Sequence, residues 1–307
     1  MNTGVVLVAA NMQSKEKGFV PLMEVGSISV VERVVATFYQ AGVNKIVLVS
    51  GENAQEVEKQ IPHMGVICLR DENYETSDML KTAQIGFSYL ESICDRIAFC
   101  PVDIPMFTVD TVKKLMESKE LILSPSYQGK GGHPLVIDTS IVPYILKFRG
   151  EGGIEAAIRS SGIEKKWLEV QDEGTLLDIT KKSVSSELVE AHKLQMLHPS
   201  LKISIAKEQN FFGPGTDQLL ELIESTGSVR NACQLMNISY SKGWKMIRLM
   251  EDQWGHPIVE RKQGGVTGGS SYLTEEGKDL IERYRSFQAE IKEQANKIFA
   301  KYFSDHK

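Results

Sequence analysis

The stretch VVLVAAN at residues 5–11 decides the fold of the first half of the chain. It begins with a continuous apolar run, which is typical of a strand buried on both faces of a parallel sheet. Similar runs follow it, separated by amphipathic helical patterns. Predicted strands cover 45–50, 65–70, 96–102, 121–125, 133–137 and 167–170, and predicted helices cover 29–41, 53–60, 77–91, 108–118, 139–148 and 152–161. The alternation predicts an α/β fold with a Rossmann-like, mostly parallel sheet covered on both faces.

The pattern changes after about residue 185. A helix over 187–197 closes the first half, and further helices are predicted over 216–226, 228–236, 239–254 and 274–303. Two short strands, 258–262 and 271–273, flank the glycine-rich loop QGGVTGGS. Three helices, a two-stranded wing and a long helix describe an α-rich winged helix-turn-helix. We therefore predict an α/β domain over 1–197, a linker over 198–212 and a DNA-binding domain over 213–307.

Length and composition limit the class of protein. The usual domain size divides 307 residues into about two domains. The chain is 42% hydrophobic and 24% charged, which excludes a disordered or fibrous protein. The apolar runs are too short to cross a bilayer, and the N-terminus lacks the basic region of a signal peptide. Four cysteines without metal-binding spacing are expected to be reduced thiols. These features predict a cytoplasmic protein with no membrane partner.

The charge is distributed unevenly. Residues 1–200 carry 20 lysines and arginines against 26 acidic residues, a net charge of −6. Residues 201–307 carry 15 against 14, a net charge of +1. The whole-chain value of −5 disfavours nucleic acid as a partner, yet residues 228–250 contain four cations and no acid. Such a local basic surface on a helix predicts contacts with DNA phosphates.

The candidate DNA-contacting residues lie on the second and third helices of this domain or in its wing. Residues at a recognition-helix N-terminus reach base edges, and wing cations reach the DNA backbone or minor groove. The candidates are Arg230, Ser239, Tyr240, Ser241, Lys242, Lys245, Arg248, Arg261 and Lys262. The alternative is a solvated basic face on a helical bundle. The residues expected to fill the three-helix core are Val229, Ala232, Ile238, Trp244, Ile247 and Leu249.

The end of the first strand marks a candidate phosphate site. Ala9, Ala10 and Asn11 stand where a parallel sheet places a phosphate-binding turn. Lys15 and Lys17 follow in the polar loop and are candidates to meet phosphate.

Two further motifs carry candidate site residues. Asp103 follows the predicted strand 96–102, where a carboxylate suits a Mg²⁺ that bridges nucleotide phosphates. Gly132, His133 and Pro134 form a glycine-containing turn. Taken singly, each signal also has a structural explanation: a strand-end cap for Asp103, a structural role for His133 and an ordinary turn for the glycine.

The order of the motifs VLVAAN, VPL, PVDIP, GGHPLV, GEGG and LLDI resembles the MobA/MocA-type nucleotidyltransferases of molybdenum cofactor synthesis, over about residues 3–192. The resemblance implies a sheet of the nucleotide-diphospho-sugar-transferase type. It also implies transfer of CMP or GMP from a nucleoside triphosphate to molybdopterin, with Mg²⁺ as cofactor. By this resemblance Asp103 is the metal ligand, and Gly132, His133 and Pro134 belong to the substrate-side loop.

The chain departs from that family at several charged positions. Asn11 stands where the family has glycine, Lys15 stands at the arginine position, and Val20 replaces a lysine that neutralises phosphate. Asp178 remains in the late acidic motif, but Thr180 stands where the family has the second acid. Each loss removes charge that stabilises the transition state or holds the metal. The departures predict a degenerate enzyme whose domain still binds a nucleotide or a cofactor precursor.

Residues 213–287 resemble the DNA-binding domain of ModE-type molybdate-dependent regulators, a LysR-like winged helix. The resemblance rests on SYSKGW, VER, the glycine-rich wing and LTEEG. It implies a homodimer formed through the long C-terminal helix, with Phe287, Ile291 and Ile298 as a possible seam. The molybdate-binding domains of that family do not follow in this chain, so a different module is expected to sense the ligand.

Three functions remain open at this point. The first is a molybdenum-linked transcriptional regulator that senses a nucleotide or a molybdopterin-like molecule and binds DNA. The second is an active cytidylyl- or guanylyltransferase with an attached DNA-binding domain. The third is an adapter whose sheet domain only mediates assembly.

Overall fold

A computed structural model of the protein describes residues 2–14, 18–43, 45–61, 66–199, 201–236, 238–262 and 270–303. The chain divides into two compact units, Met1–Leu197 and His198–Lys307. None of the described helices is both long enough and apolar enough to cross a membrane.

The first unit is built on one large sheet and its covering helices. Its strands are β1 (Thr3–Val8), β2 (Gln13–Ser14), β3 (Gly18–Phe19), β4 (Glu24–Val25), β5 (Ile28–Ser29), β6 (Lys45–Ser50), β7 (Ile67–Arg70), β8 (Arg96–Pro101), β9 (Ile122–Tyr127), β10 (Lys130–Gly131), β11 (Leu135–Asp138) and β12 (Lys166–Glu169). Its helices are α1 (Val30–Gln40), α2 (Ala54–Gln60), α3 (Met79–Leu90), α4 (Val109–Glu117), α5 (Val142–Lys147), α6 (Gly153–Arg159) and α7 (Ser186–Gln195).

β1 lies near the middle of the sheet, between β6 and β8. Within the described residues the strand order is β10-β9-β11-β8-β1-β6-β7, and β12 pairs with β9. β1 is parallel to both neighbours, with Val8 opposite Val49 on one side and Pro101 on the other. β11 is antiparallel to β8 and β9. The predicted α/β class with a mostly parallel sheet is therefore confirmed.

Local sequence determines where α1 begins and which face it buries. Ser29 Oγ accepts a hydrogen bond from the Glu32 N–H at 3.3 Å, and Glu32 Oε2 accepts one from the Ser29 N–H at 2.8 Å. This capping box satisfies two backbone donors at the start of the helix. Val30, Val34 and Phe38 follow at spacings of four residues and are fully buried. The apolar face therefore packs into the core of the unit.

A buried arginine–histidine contact fastens α7 to the first unit. Nη1 of Arg33 lies 3.1 Å from Nδ1 of His192, and Nε2 of His192 lies 3.1 Å from the carbonyl oxygen of Phe107. Because a carbonyl oxygen only accepts, Nε2 carries the proton and Nδ1 accepts from Arg33. Burial lowers the pKa of His192, so this contact uses the neutral ring.

The second unit consists of helices and two small hairpins. Its elements are β13 (Ile205–Ala206), β14 (Asn210–Phe212), α8 (Pro214–Thr226), α9 (Val229–Leu235), α10 (Tyr240–Trp254), β15 (Val259–Lys262), β16 (Ser270–Leu273) and α11 (Glu275–Phe303). Three helices followed by the β15–β16 wing and a long helix form the predicted winged helix-turn-helix. Ser228, Ser239 and Thr274 cap α9, α10 and α11 through their side-chain oxygens.

The hairpin of β13 and β14 packs within the second unit. The Phe212 ring lies 4.9 Å from the Tyr284 ring, and the Phe211 ring lies 6.3 Å from Trp254. The Tyr284 hydroxyl donates to the carbonyl oxygen of Ile203 at 3.0 Å. Much of the stretch 198–212, predicted as a linker, is therefore ordered against the helices that follow it.

α9 and α10 approach each other closely at Gly243. A Cβ at this position would lie 2.3 Å from Sγ of Cys233, which no real carbon atom tolerates. Gly243, Ile247 and Met250 form the buried face of α10. The contact with α9 therefore determines which way α10 is turned about its axis.

The observed burial in the second unit differs in part from the predicted core. Val229, Ala232 and Ile247 are buried as expected. Ile238, Trp244 and Leu249 are only partly buried. The expectation that they fill the core is wrong. Gly243 and Met250 share the inner face of α10 with Ile247, in place of Trp244 and Leu249, and Ile238 precedes the helix.

We expect Gly243→Ala to destabilise the second unit by about 1 to 3 kcal/mol, because its methyl group overlaps Cys233. Adding Cys233→Ala makes room, so the double variant should recover part of the loss. Gly215→Ala is the matched control, since a Cβ there meets nothing within 4 Å. Urea unfolding of the four proteins in a double-mutant cycle measures the coupling. Equal effects of Gly243→Ala with and without Cys233→Ala would refute the clash.

Candidate nucleotide and DNA sites

The turn after β1 has the backbone conformation of a glycine turn although it contains Asn11. Ala9 and Ala10 are buried, and Asn11 has a φ of 53°. This left-handed region favours glycine and is tolerated by asparagine. Nδ2 of Asn11 donates to the carbonyl oxygens of Tyr74 and Ser77. The amide is therefore engaged by the loop between β7 and α3.

The two candidate phosphate lysines of the next loop, Lys15 and Lys17, lie outside the described residues. Val20, at the position of the missing family lysine, is fully buried. Its N–H donates to the carbonyl oxygen of Met12 at 2.9 Å. The position of Val20 therefore belongs to the interior and supplies no cation to the turn.

Asp103 lies just beyond the carboxyl end of β8. Its Oδ1 is buried and has no hydrogen-bond partner among the described residues. Its backbone carbonyl accepts the Ile179 N–H at 2.9 Å, which brings the segment containing Asp178 to the same edge. Burial, followed by the charge of Asp178, raises the pKa of Asp103 to about 6. A buried carboxylate oxygen without a partner is a position that a cation can complete.

Asp178 supplies a second carboxylate, but protein groups already engage it. Nζ of Lys181 lies 2.7 Å from Oδ2 of Asp178, and the Thr180 N–H donates to Oδ1 at 2.9 Å. Burial raises the pKa of Asp178, and the hydrogen bonds from Lys181 and Thr180 outweigh that effect, so the pKa is lowered. Lys181 therefore places an ammonium group beside the acid that a metal ion would use.

The donor set fits Mg²⁺ bound together with a nucleotide. Mg²⁺ is commonly held by one or two carboxylates plus phosphate oxygens. Asp103 and Asp178 match that requirement, and Asp103 is the one with an unsatisfied oxygen. The described residues contain no group of three or more His, Cys, Asp or Glu side chains able to hold a metal ion. Phosphate oxygens would have to supply the remaining ligands.

The backbone of the turn at Gly132, His133 and Pro134 makes hydrogen bonds to other segments of the first unit. The Gly132 N–H donates to the carbonyl oxygen of Pro125 at 2.9 Å, and the His133 N–H donates to that of Thr175 at 2.9 Å. A Cβ on Gly132 would lie 2.5 Å from the Thr175 oxygen, so the close approach requires glycine. These two backbone donors therefore stabilise the turn.

The imidazole of His133 is enclosed. Its ring lies 6.0 Å from that of Phe99 in an edge-on arrangement, and burial lowers its pKa to about 4. The ring is neutral at neutral pH and carries no charge toward a substrate phosphate. This geometry favours the structural explanation for His133.

The predicted DNA-contacting side chains of the second unit lie together on an exposed surface. Ser239 Oγ accepts the Lys242 N–H at 3.2 Å, so this serine caps the start of α10. The exposed candidates are Arg230, Ser239, Tyr240, Ser241, Lys242, Lys245 and Arg248, with Arg261 in β15. The side chain of Lys262 and most of the glycine-rich loop lie outside the described part of the chain.

Trp244, which was predicted to lie in the core, belongs to this surface. Its ring lies 6.2 Å from that of Tyr240, and the guanidinium of Arg261 lies 3.6 Å from its centroid. Trp244 also lies four residues from both Tyr240 and Arg248, which is the spacing of one helix face. This spacing is the feature of the sequence that indicates a surface position for Trp244.

The outer part of α11 exposes apolar side chains. Its buried residues in the described chain end at Tyr284. Beyond that point Phe287 and Ile298 are about half exposed, at 48% and 58%, and Ile291 is partly buried. Ile291 and Ile298 are seven residues apart, as on one side of a coiled-coil seam.

The raised pKa of Asp103 predicts a pH-dependent stability. A carboxyl group whose pKa is higher in the folded state stabilises while protonated, and this contribution is lost as the pH rises from about 4 through about 6. Asp103→Asn stays neutral. It is expected to match the wild type near pH 4 and to exceed its free energy of unfolding by about 1 to 3 kcal/mol near pH 7. Urea unfolding at both pH values tests this, and a difference independent of pH would contradict it.

Comparison with known proteins agrees with the two units. Residues 5–167 match the MobA-like NTP transferase domain, and residues 218–278 match the bacterial regulatory helix-turn-helix protein family of the LysR type. A nucleotidyl transferase structure from Methanothermobacter thermautotroptrophicus has a TM-score of 0.52 and 17% identity. It covers 62% of this chain and 96% of that chain, which supports the fold.

Two sequence relatives are ModE proteins. The molybdenum transport protein ModE of Azotobacter vinelandii is 32% identical over 81 residues, which is 26% of this chain and 30% of that protein. The DNA-binding transcriptional dual regulator ModE of Escherichia coli K12 is 31% identical over 100 residues, 32% of this chain and 38% of the relative. The chain thus spans about a third of the length of each relative. The transferase match covers more than half of the chain. The protein therefore belongs to the MobA-like NTP transferase domain family and carries a LysR-type helix-turn-helix.

Proposed function

We propose that the protein is a molybdenum-linked transcriptional regulator. Its second unit binds DNA, and its first unit binds a nucleotide or a molybdopterin-like molecule as a sensor. The observation that carries the proposal is the exposed cationic surface of α10, which lacks acids through about its first three turns. The similarity to the ModE proteins supports the link to molybdenum.

The first unit is proposed to be a degenerate transferase. Four features support this. The amide of Asn11 is hydrogen-bonded to the β7–α3 loop, and Val20 is buried. Lys181 forms an ion pair with Asp178, and the His133 ring is largely buried. Each weakens phosphate or metal binding relative to a site with free cations and free carboxylates. Asp103 would hold Mg²⁺ against the phosphates of a bound nucleotide, and the metal would neutralise phosphate charge.

The second candidate function is an active molybdenum cofactor cytidylyl- or guanylyltransferase that also carries a DNA-binding domain. The unsatisfied Oδ1 of Asp103 favours it, because this oxygen is available to a metal ion. Lys15 or Lys17 would then have to bind the triphosphate. A purely adapting role would require neither ligand.

We infer a homodimer formed through α11. The half-exposed Phe287 and Ile298 leave apolar area in water that a second copy of the helix would cover. A dimer also matches the two-fold symmetry of palindromic DNA sites. We further infer a cytoplasmic location, where such a regulator meets its DNA.

Lys245→Ala is expected to weaken DNA binding and to reduce the salt dependence of the affinity by about one phosphate contact. Fluorescence anisotropy with a labelled random-sequence duplex at several salt concentrations measures both. Lys114→Ala removes an exposed lysine from α4 of the first unit and should change neither quantity. Absence of binding to any duplex at low salt would refute the DNA-binding proposal.

The nucleotide proposal predicts binding without turnover. CTP or GTP with Mg²⁺ should raise the melting temperature of the wild type through mass action, and Asp103→Asn should lose this effect. Incubation with CTP or GTP, Mg²⁺ and molybdopterin together should release no pyrophosphate. Pyrophosphate release at ordinary enzyme rates would establish the second candidate instead. No thermal shift with any nucleotide or pterin would leave the adapter role.

Ile298→Asp is expected to convert the dimer into monomers, because a charge would be buried in the proposed seam. Sedimentation equilibrium of the full chain measures the mass. Glu290→Asp leaves the charge unchanged on the same helix and serves as the control. A wild-type chain that sediments as a monomer at high concentration would exclude the dimer.

A further inference from the structure

The N-terminal half of α10 carries two neighbouring aromatic rings in addition to its cations, one exposed and one partly exposed. Tyr240 is 46% exposed, and Trp244 is partly exposed beside it. Their centroids are 6.2 Å apart with an interplanar angle of 77°, an edge-on pair. Large apolar side chains at this position are costly in water, so the surface is better suited to a partner that offers apolar groups.

Cations hold both rings in place. The guanidinium of Arg261, from β15 of the wing, lies 3.6 Å from the Trp244 centroid, and that of Arg230, from α9, lies 5.7 Å from Tyr240. A guanidinium within about 6 Å of a ring centroid is attracted to the ring. The attraction restricts where the side chains can point. Side chains from α9 and β15 therefore both contact the ring pair.

An open groove of about 740 Å³ runs along this face of α10. Tyr240, Trp244 and Leu249 give it apolar lining. Its charged lining is Lys245, Arg248, Arg261 and one acid, Asp252, so positive charge is in excess. A DNA duplex complements both properties. Its phosphates meet the cations, and the C5-methyl of thymine is the apolar group that the bases present in the major groove.

We propose that Tyr240 and Trp244 read thymine methyl groups in the major groove, with Arg261 acting as the positioning residue for Trp244. The inference rests on the proposed DNA-binding function and specifies what the recognition helix recognises. Hydrogen-bond donors such as Lys242 and Lys245 can reach phosphates or purine edges. The ring pair adds a preference that depends on one methyl group per base.

The experiment compares thymine with uracil, which lacks the methyl group but pairs identically. Duplexes are first selected from a random pool with the full chain, and the best binder is resynthesised with uracil at each thymine in turn. At one or more positions the wild type should lose about fourfold in affinity, the effect expected for removing one buried methyl group. Equal affinity at every position would overturn the proposal. Failure to bind any duplex would instead overturn DNA binding itself.

Variants assign the effect to the ring pair. Trp244→Ala and Tyr240→Ala should bring the thymine-to-uracil affinity ratio close to one at the sensitive positions. Tyr144→Ala removes an equally exposed tyrosine, 45% exposed, from the first unit and should leave the ratio unchanged. A ratio unaltered in both helix variants would overturn the assignment. If a variant fails to fold, the wild-type comparison still decides whether methyl groups are read.

The role of Arg261 is tested by Arg261→Lys. Lysine keeps the charge but lacks the planar guanidinium that stacks on indole. The variant should therefore keep the salt dependence of the wild type while its thymine-to-uracil ratio falls. An Arg261 that only contacts phosphate would leave the ratio unchanged in Arg261→Lys, which would overturn the positioning role.

Discussion

The parallel pairing of β1 with β8 is the constraint on which the candidate nucleotide site depends. Val8 lies opposite Pro101, and the Val102 N–H donates to the carbonyl oxygen of Val8 at 3.1 Å. Because the two strands run in the same direction, the segments that follow them leave the sheet at the same edge. The turn with Asn11 and the carboxylate of Asp103 therefore emerge at the same edge although 92 positions separate them in the sequence. A shift of this register would separate them whatever their side chains.

The parts of the fold that the sequence predicted are those encoded locally. The predicted helices 108–118, 239–254 and 274–303 start within one residue of α4, α10 and α11, because Thr108, Ser239 and Thr274 cap these helices with their own side-chain oxygens. The buried strands follow from their continuous apolar runs. What the sequence could not supply are pairings between distant segments. The amide of Asn11 meets Tyr74, and Arg33 meets His192, because the sheet and helices bring them together. No local pattern contains those contacts.

Trp244 shows why the exposed surface of α10 was only partly predictable. Helical spacing allows more than one face of α10 to be buried, since apolar residues occur all around it. In the structure Gly243 faces Cys233, where a side chain would clash with Sγ. With Gly243 turned inward, Trp244 comes to the side of the helix and meets Arg261. Packing against α9 thus accounts for which side chains α10 exposes to solvent.

Charge also acts locally in this protein. The first half carries −6 and the chain as a whole −5, which taken alone would repel a polyanion. Exposed charges separated by more than about 10 Å are largely screened at moderate salt. The potential at a phosphate near α10 is therefore dominated by Lys242, Lys245 and Arg248. Lowering the salt concentration lengthens the screening distance and admits repulsion from acidic residues farther away. The gain in DNA affinity on lowering the salt should consequently be smaller than phosphate contacts alone would produce.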